Sequence, residues 1–244
     1  MKTNGKLLLL TIAMLVQSYS IVQMFQPVYH HWPAPFFFLL GVEPETIYIV
    51  LLMWYVVFVS LSFYFLGNVS ENLHGFGKYM LIRNFSKTKF ILNQYIAIAV
   101  KLVGFFFLQA GVYYLIATIM RHQTSGTVDV SQLIKASFIY YLTLLVLLLL
   151  QMMLELFVTP QVSLLVVNMY LVFSIALAGV LFTFKRMQPL LYVLIPNFMM
   201  SLRTDILNGQ HFTIHYSMAV IVLFLLLAAI IGLSMQRIKT KDIF

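Results

Sequence analysis

Cysteine is absent from the 244-residue chain. A disulfide scaffold, a thiol nucleophile and a thiolate metal site are therefore excluded. Charge is scarce too: Asp, Glu, Lys and Arg make up 9% of the residues, where a soluble domain carries about 25%. The seven acids are Glu43, Glu45, Glu71, Asp129, Glu155, Asp205 and Asp242, all in loops, at span ends or in the tail. Ion-coupled transport usually needs a carboxylate deep in the membrane, and intramembrane proteolysis needs buried acids, His or a nucleophile with a base. Neither pattern is present. A G-x-x-x-x-G-K-S/T phosphate loop is missing as well; Gly75-Phe-Gly77-Lys78 has the wrong spacing and the wrong following residue. His211 and His215 stand four apart, but the stretch HFTIH lacks the Glu of HExxH. His30-His31 has no carboxylate or thiolate company nearby. No catalytic or metal residue is expected, and no cofactor in this chain.

What the chain has is apolar surface. It is 62% hydrophobic, with a mean hydropathy of +0.96. That cannot be hidden in one water-soluble core, so an all-α integral membrane domain covering 1–244 is expected. Spans fall at about 7–25, 47–66, 93–119, 133–154, 162–184 and 214–235. The first run could be a signal peptide with Ser18-Tyr-Ser20 as cleavage site, but its apolar character continues past that point, which favours an uncleaved span. Gln26 to Thr46 reads as an outer loop, with Pro27, Pro33, Pro35 and Pro44 and with Tyr29, Trp32, Phe36, Phe37 and Phe38 suited to the interface. Lys185 to Phe212 is too interrupted for a span, with Pro189, Pro196, Arg203, Asp205 and Asn208-Gly209. Two short helices near 188–195 and 197–207, dipping into the outer leaflet, fit it better.

The formal charge of +8 sits mostly in loops and tails. It reports orientation and contact with anionic lipid rather than nucleic-acid binding. Lys2, Lys6, Lys78, Arg83, Lys87, Lys89, Arg237, Lys239 and Lys241 fall on one side, so both termini are expected in the cytoplasm of a multi-pass cell-membrane protein. Arg121, Lys135, Lys185, Arg186 and Arg203 fall outside.

The long basic stretch 68–93 organises the chain. Asn68 and Glu71 can form a capping box, Gly75 and Gly77 loosen the middle, and Leu73, Phe76, Tyr79, Met80 and Ile82 share roughly one helical face. Ser86 can cap a second helix that continues into the third span. The stretch reads either as an amphipathic cytoplasmic helix that docks on a soluble partner or as a basic loop on anionic lipid. Within the spans, Gln94, Lys101 and Gln109 lie at near-helical spacing and suggest a mildly polar stripe. Lys101 either snorkels to the cytoplasmic interface or faces a cavity or pairs with Glu155. Gln151 and Asn168 suit the same path or simple helix–helix hydrogen bonds. The 14 Met, 22 Phe and 14 Tyr could line a cavity for amphipathic ligands, though most should face lipid.

About six spans, a cytoplasmic helix between spans two and three, and a broken outer segment between spans five and six resemble the type-2 ABC exporter permeases. The stretch from Gly77 to Lys89, GKYMLIRNFSKTK, is similar to the loop of small Gram-positive permeases for peptide export or peptide self-immunity. The resemblance implies a coupling helix within about 70–83, with Glu71, Leu73, Phe76, Lys78, Tyr79 and Arg83 against a separate ATPase. It implies two permease copies, alike or different, and two ATPase copies that carry ATP and magnesium. It also implies a translocation path near Gln94, Lys101, Gln109 and Glu155, and an amphipathic peptide or lipid-like substrate moved outward. The rival expectations are a non-transporting immunity or sensor subunit that binds a peptide at the outer face, and a membrane-embedded enzyme, disfavoured by the missing buried chemistry.

Overall fold

The computed structural model describes residues 3–41, 48–68, 86–122, 126–182, 184–207 and 214–240. Among these the chain is helical, with no β-strand beyond one isolated bridge between Thr204 and Ile214. The helices are α1 (Thr3–Phe25), α2 (Tyr48–Tyr64), α3 (Lys87–Ile119), α4 (Val130–Leu154), α5 (Pro160–Leu181) and α6 (Tyr216–Thr240). Five of them, all but α2, are long and apolar enough to cross a membrane.

Local chemistry sets the boundaries. Asp129 caps α4 by accepting from the Ser131 amide at 3.1 Å. Pro160 opens α5, where a missing N–H costs nothing. Ser86 stands at the N-cap of α3, although its side chain makes no capping hydrogen bond. α3 starts at Lys87, directly after Ser86, and runs into the apolar stretch that begins near 93, because Lys and Thr are compatible with a helix even where they interrupt an apolar run. Its far end closes with Met120 N–H donating to Ile116 O and His122 N–H donating to Ala117 O, with Arg121 in the left-handed region at φ 58°. This is a Schellman-type end in which Arg occupies the place glycine usually takes.

α4 is the central helix. Its residues 142–149 are all buried, and 61% of its apolar window is covered, against 22% for α6. A helix apolar on every side belongs inside the bundle. The outward faces of the others carry large apolar side chains such as Phe107, Leu115, Leu165, Phe173 and Leu225.

The segment after α5 differs from the expected pair of short helices. It is a string of 3₁₀ turns, Lys185–Val193, Ile195–Met199 and Ser201–Arg203. Pro189 and Pro196 each remove a donor, and tight turns accommodate that loss better than α-helix does. The string is not peripheral: residues 195–201 are buried, packed against α4 and α5. Arg203 is buried with them, donating from Nη1 to Ile175 O at 3.1 Å and to Asn197 Oδ1 at 2.5 Å. Desolvation pulls its pKa down from the ordinary arginine range to about 10.

Three loops meet at this end of the bundle. Leu202 N–H donates to Leu40 O at 3.1 Å, and Thr127 N–H donates to His31 O at 2.9 Å. Gly41 has φ 76°, and a Cβ there would lie 2.5 Å from Met200 Cβ. The stretch around 26–41, the α3–α4 turn and the 184–207 segment therefore share one end of the molecule.

Candidate functional site

The opposite end gathers the beginning of α1, the end of α2, the α4–α5 turn and the last turns of α6. Lys6 Nζ donates to Leu66 O at 3.0 Å. The Arg237 guanidinium lies 5.0 Å from the centroid of the Phe157 ring. Glu155 is buried at the end of α4, and its Oε1 accepts from the Gly67 amide at 3.0 Å. Gly67 holds φ 78°, a conformation glycine adopts without a Cβ penalty. The polypeptide leaves α2 through this turn for the stretch 69–85, so a carboxylate on α4 holds the root of the basic segment. Glu155 also lies close enough to the Tyr95 phenol to act on it electrostatically. Tyr95 Oη in turn shares a 2.6 Å hydrogen bond with Ser234 Oγ, which ties α3 to α6.

One turn above Glu155, Gln151 belongs to a cluster around Ser62 that joins three helices. Its Nε2 donates to Ser62 O at 3.1 Å and its Oε1 accepts from Ser62 Oγ. Asn168 Nδ2 donates to the same Ser62 Oγ at 3.3 Å and to Leu164 O at 2.8 Å. Gln151 and Asn168 thus make helix–helix hydrogen bonds among α2, α4 and α5. A second amide chain crosses the bundle higher up. Tyr140 Oη donates to Gln109 Oε1 at 3.0 Å, Gln109 Nε2 donates to Gln17 Oε1 at 3.1 Å, and Gln17 Nε2 donates to Trp54 O at 3.2 Å. A cavity of ≈ 10 Å³ adjoins it, lined by Gln17, Trp54, Phe105 and Tyr140 among others. That is about room for one water.

The residues expected along a translocation path divide. Gln109 is fully buried, Glu155 is buried, Gln94 is half-buried and Lys101 is exposed. At ~100° per residue, the eight positions from Lys101 to Gln109 rotate the side chain by about 80°, enough to move it from the outer face to the interior. No ion pair joins Lys101 and Glu155 among the described residues. The coupling residues Glu71, Leu73, Phe76, Lys78, Tyr79 and Arg83 lie outside the described residues. Reading the sequence did not single out Gln17, Ser62, Tyr95, Tyr140 or Asn197. A Gln inside the first apolar run was the one signal available for Gln17.

The "Uncharacterized protein YybK" of Bacillus subtilis (strain 168) is 30% identical over 200 residues, which cover 79% of this chain and 78% of the relative. No solved structure matches. Residues 10–244 match the family described as "Protein of unknown function (DUF2705)". That match spans nearly all of the chain, which accordingly belongs to the DUF2705 family.

Proposed function

We propose that the chain is the permease subunit of an ATP-driven exporter, with the basic stretch 69–85 as the element that docks on a separate ATPase. The observation that carries the reading is the junction of Glu155 with Gly67: a buried carboxylate on the central helix fixes the root of that stretch. A displacement of the stretch would reach α4 directly. The six helices, read as six spans with both termini and the basic stretch in the cytoplasm, support it further. Lys6, Arg237 and Lys239 then lie at the cytoplasmic end, and the stitched loops lie outside. ATP and magnesium belong to the partner, and an amphipathic peptide or lipid-like molecule is the cargo.

The test is Phe76→Ala with Tyr79→Ala. Two aromatic anchors in a docking helix are worth about 2 kcal/mol or more, roughly 30-fold in affinity. ATPase co-purification and its stimulation by the permease should fall by that factor while membrane abundance holds. Unchanged binding and stimulation would make the stretch a lipid-facing loop and remove the proposed coupling.

A second reading, a non-transporting immunity or sensor subunit, is favoured by the closed outer face, where backbone hydrogen bonds stitch three loops together. Peptide binding at that face without ATPase association would select it.

A further inference from the structure

Lys101 stands on the outward face of α3, and its depth follows from two cross-helix hydrogen bonds. Tyr95 Oη meets Ser234 Oγ at 2.6 Å, so Tyr95 is roughly level with Ser234. Six residues further along α3 is a rise of ~9 Å, which places Lys101 level with about residue 228, the middle of α6. Tyr141, near the middle of α4, donates from Oη to Ala99 O at 3.0 Å. Both markers put Lys101 in the central part of the apolar layer. Arg237, at the cytoplasmic end in the proposed orientation, lies about nine residues or ~14 Å from that level along α6. A lysine stem reaches roughly 6 Å, so snorkelling does not span the gap.

The neighbours on the face are apolar and outward: Val100 is 66% exposed, Phe107 68% and Leu108 45%. Lipid on this face would leave an ammonium in hydrocarbon with no counter-charge among the described residues. The face is also cut low for close approach. Ala97, Gly104 and Gly111 recur every seven residues across it, and a Cβ added at Gly104 or Gly111 would meet nothing within 4 Å. Small residues at a membrane helix face let another backbone come near.

We propose that this face of α3 is the docking surface for a membrane-spanning helix of a different chain, one that carries an Asp or Glu level with Lys101. Charge selects the occupant. A second copy packed symmetrically would bring Lys101 against its own equivalent. Packed in any other way, a copy has no acid to offer at that depth. Glu155 is buried, Asp129 and Asp205 lie at the outer end, and Glu43, Glu45, Glu71 and Asp242 fall outside every long apolar run of the sequence. The inference requires only that α3 crosses a membrane. It does not depend on ATP-driven export, and it separates the permease pair into two unlike subunits if that reading holds.

The experiment places a benzophenone amino acid at Val100 or Leu108 of the tagged full-length chain in its native membranes, with Phe173 on α5 as the control position. Irradiation should give an adduct with a different membrane protein from α3 and not from Phe173. Peptide sequencing should find the adduct on an apolar helix that bears a carboxylate. Lys101→Met should lower the yield at least tenfold, and Lys101→Glu should be rescued by exchanging the partner's acid for Lys. An adduct of the chain with itself, an adduct with lipid alone, a partner helix without an acid, or an unchanged yield in Lys101→Met would each overturn the proposal. If Lys101→Met does not accumulate, the identity of the wild-type adduct decides alone.

Discussion

Replacing Asn197 by leucine tests whether the 3₁₀ string is an integral part of the bundle. Asn197 is fully buried. Its Oδ1 accepts from Arg203 Nη1 at 2.5 Å, and its Nδ2 donates to Leu194 O at 2.8 Å and to Ser174 O at 3.2 Å. One hydrogen bond to a charge and two neutral ones, all in dry surroundings, total about 3–5 kcal/mol. A chain of this size should lose roughly 10 °C in thermal midpoint, measured in detergent by loss of monodisperse protein. Adding Arg203→Met should recover about 2 kcal/mol, because the double variant no longer holds a buried cation that has lost an acceptor. The pH dependence has a defined sign. Arg203 is lowered to about 10, so the unfolded chain holds that proton more tightly. Its burial penalty is fully present below pH 10 and is relieved as pH rises through that value towards the ordinary arginine range. Between pH 6 and 9 the cost of Asn197→Leu should therefore stay constant. Strictly additive single and double variants, or a loss under about 1 kcal/mol, would refute the network as a stabilising unit.

Gly126→Ala should destabilise by about 2–3 kcal/mol, since its Cβ would lie 2.3 Å from His31 O and 2.6 Å from Pro33 N, both backbone atoms; thermal melts would show the loss. Arg121→Gly should do the reverse, raising stability by about 0.5–1 kcal/mol by relieving a left-handed residue at φ 58°. The absence of cysteine makes single-Cys variants clean topology probes. An impermeant thiol reagent on intact cells should label Asp129→Cys and leave Lys239→Cys untouched, and labelling at 239 would invert the proposed orientation.

Helix positions were legible because apolar run length and capping chemistry are local. The apolar runs read at 133–154 and 162–184 lie where α4 (Val130–Leu154) and α5 (Pro160–Leu181) stand, although Asp129 and Pro160 were not singled out as their starts. The helix that Ser86 was read to open does begin at Lys87, ahead of the apolar run read from about 93, since Lys87 and Lys89 interrupt an apolar run without interrupting a helix. The breaks at Pro189 and Pro196 were visible, but the choice of 3₁₀ turns depends on the packing of 195–199 against α4. The candidate site was less legible. Spacing placed Gln94, Lys101 and Gln109 together, and helical rotation takes Gln109 away from the other two into the interior. Partners such as Gln17 and Trp54, or Ser62 and Gln151, stand far apart in the chain and meet only through tertiary packing.

The stitched loops also impose an order on biosynthesis. Leu40 carbonyl receives its hydrogen bond from Leu202, and the space beside Gly41 is filled by Met200. About 160 residues must be translated between those points, which takes on the order of 10–30 s at ordinary elongation rates. Throughout that interval the first loop is already synthesised, with a carbonyl and a glycine-sized notch awaiting a segment the ribosome has not yet made. Closure of this face is thus a late event in maturation, and a nascent chain stalled before residue 200 would present an unfinished surface to whatever quality-control machinery surveys the membrane.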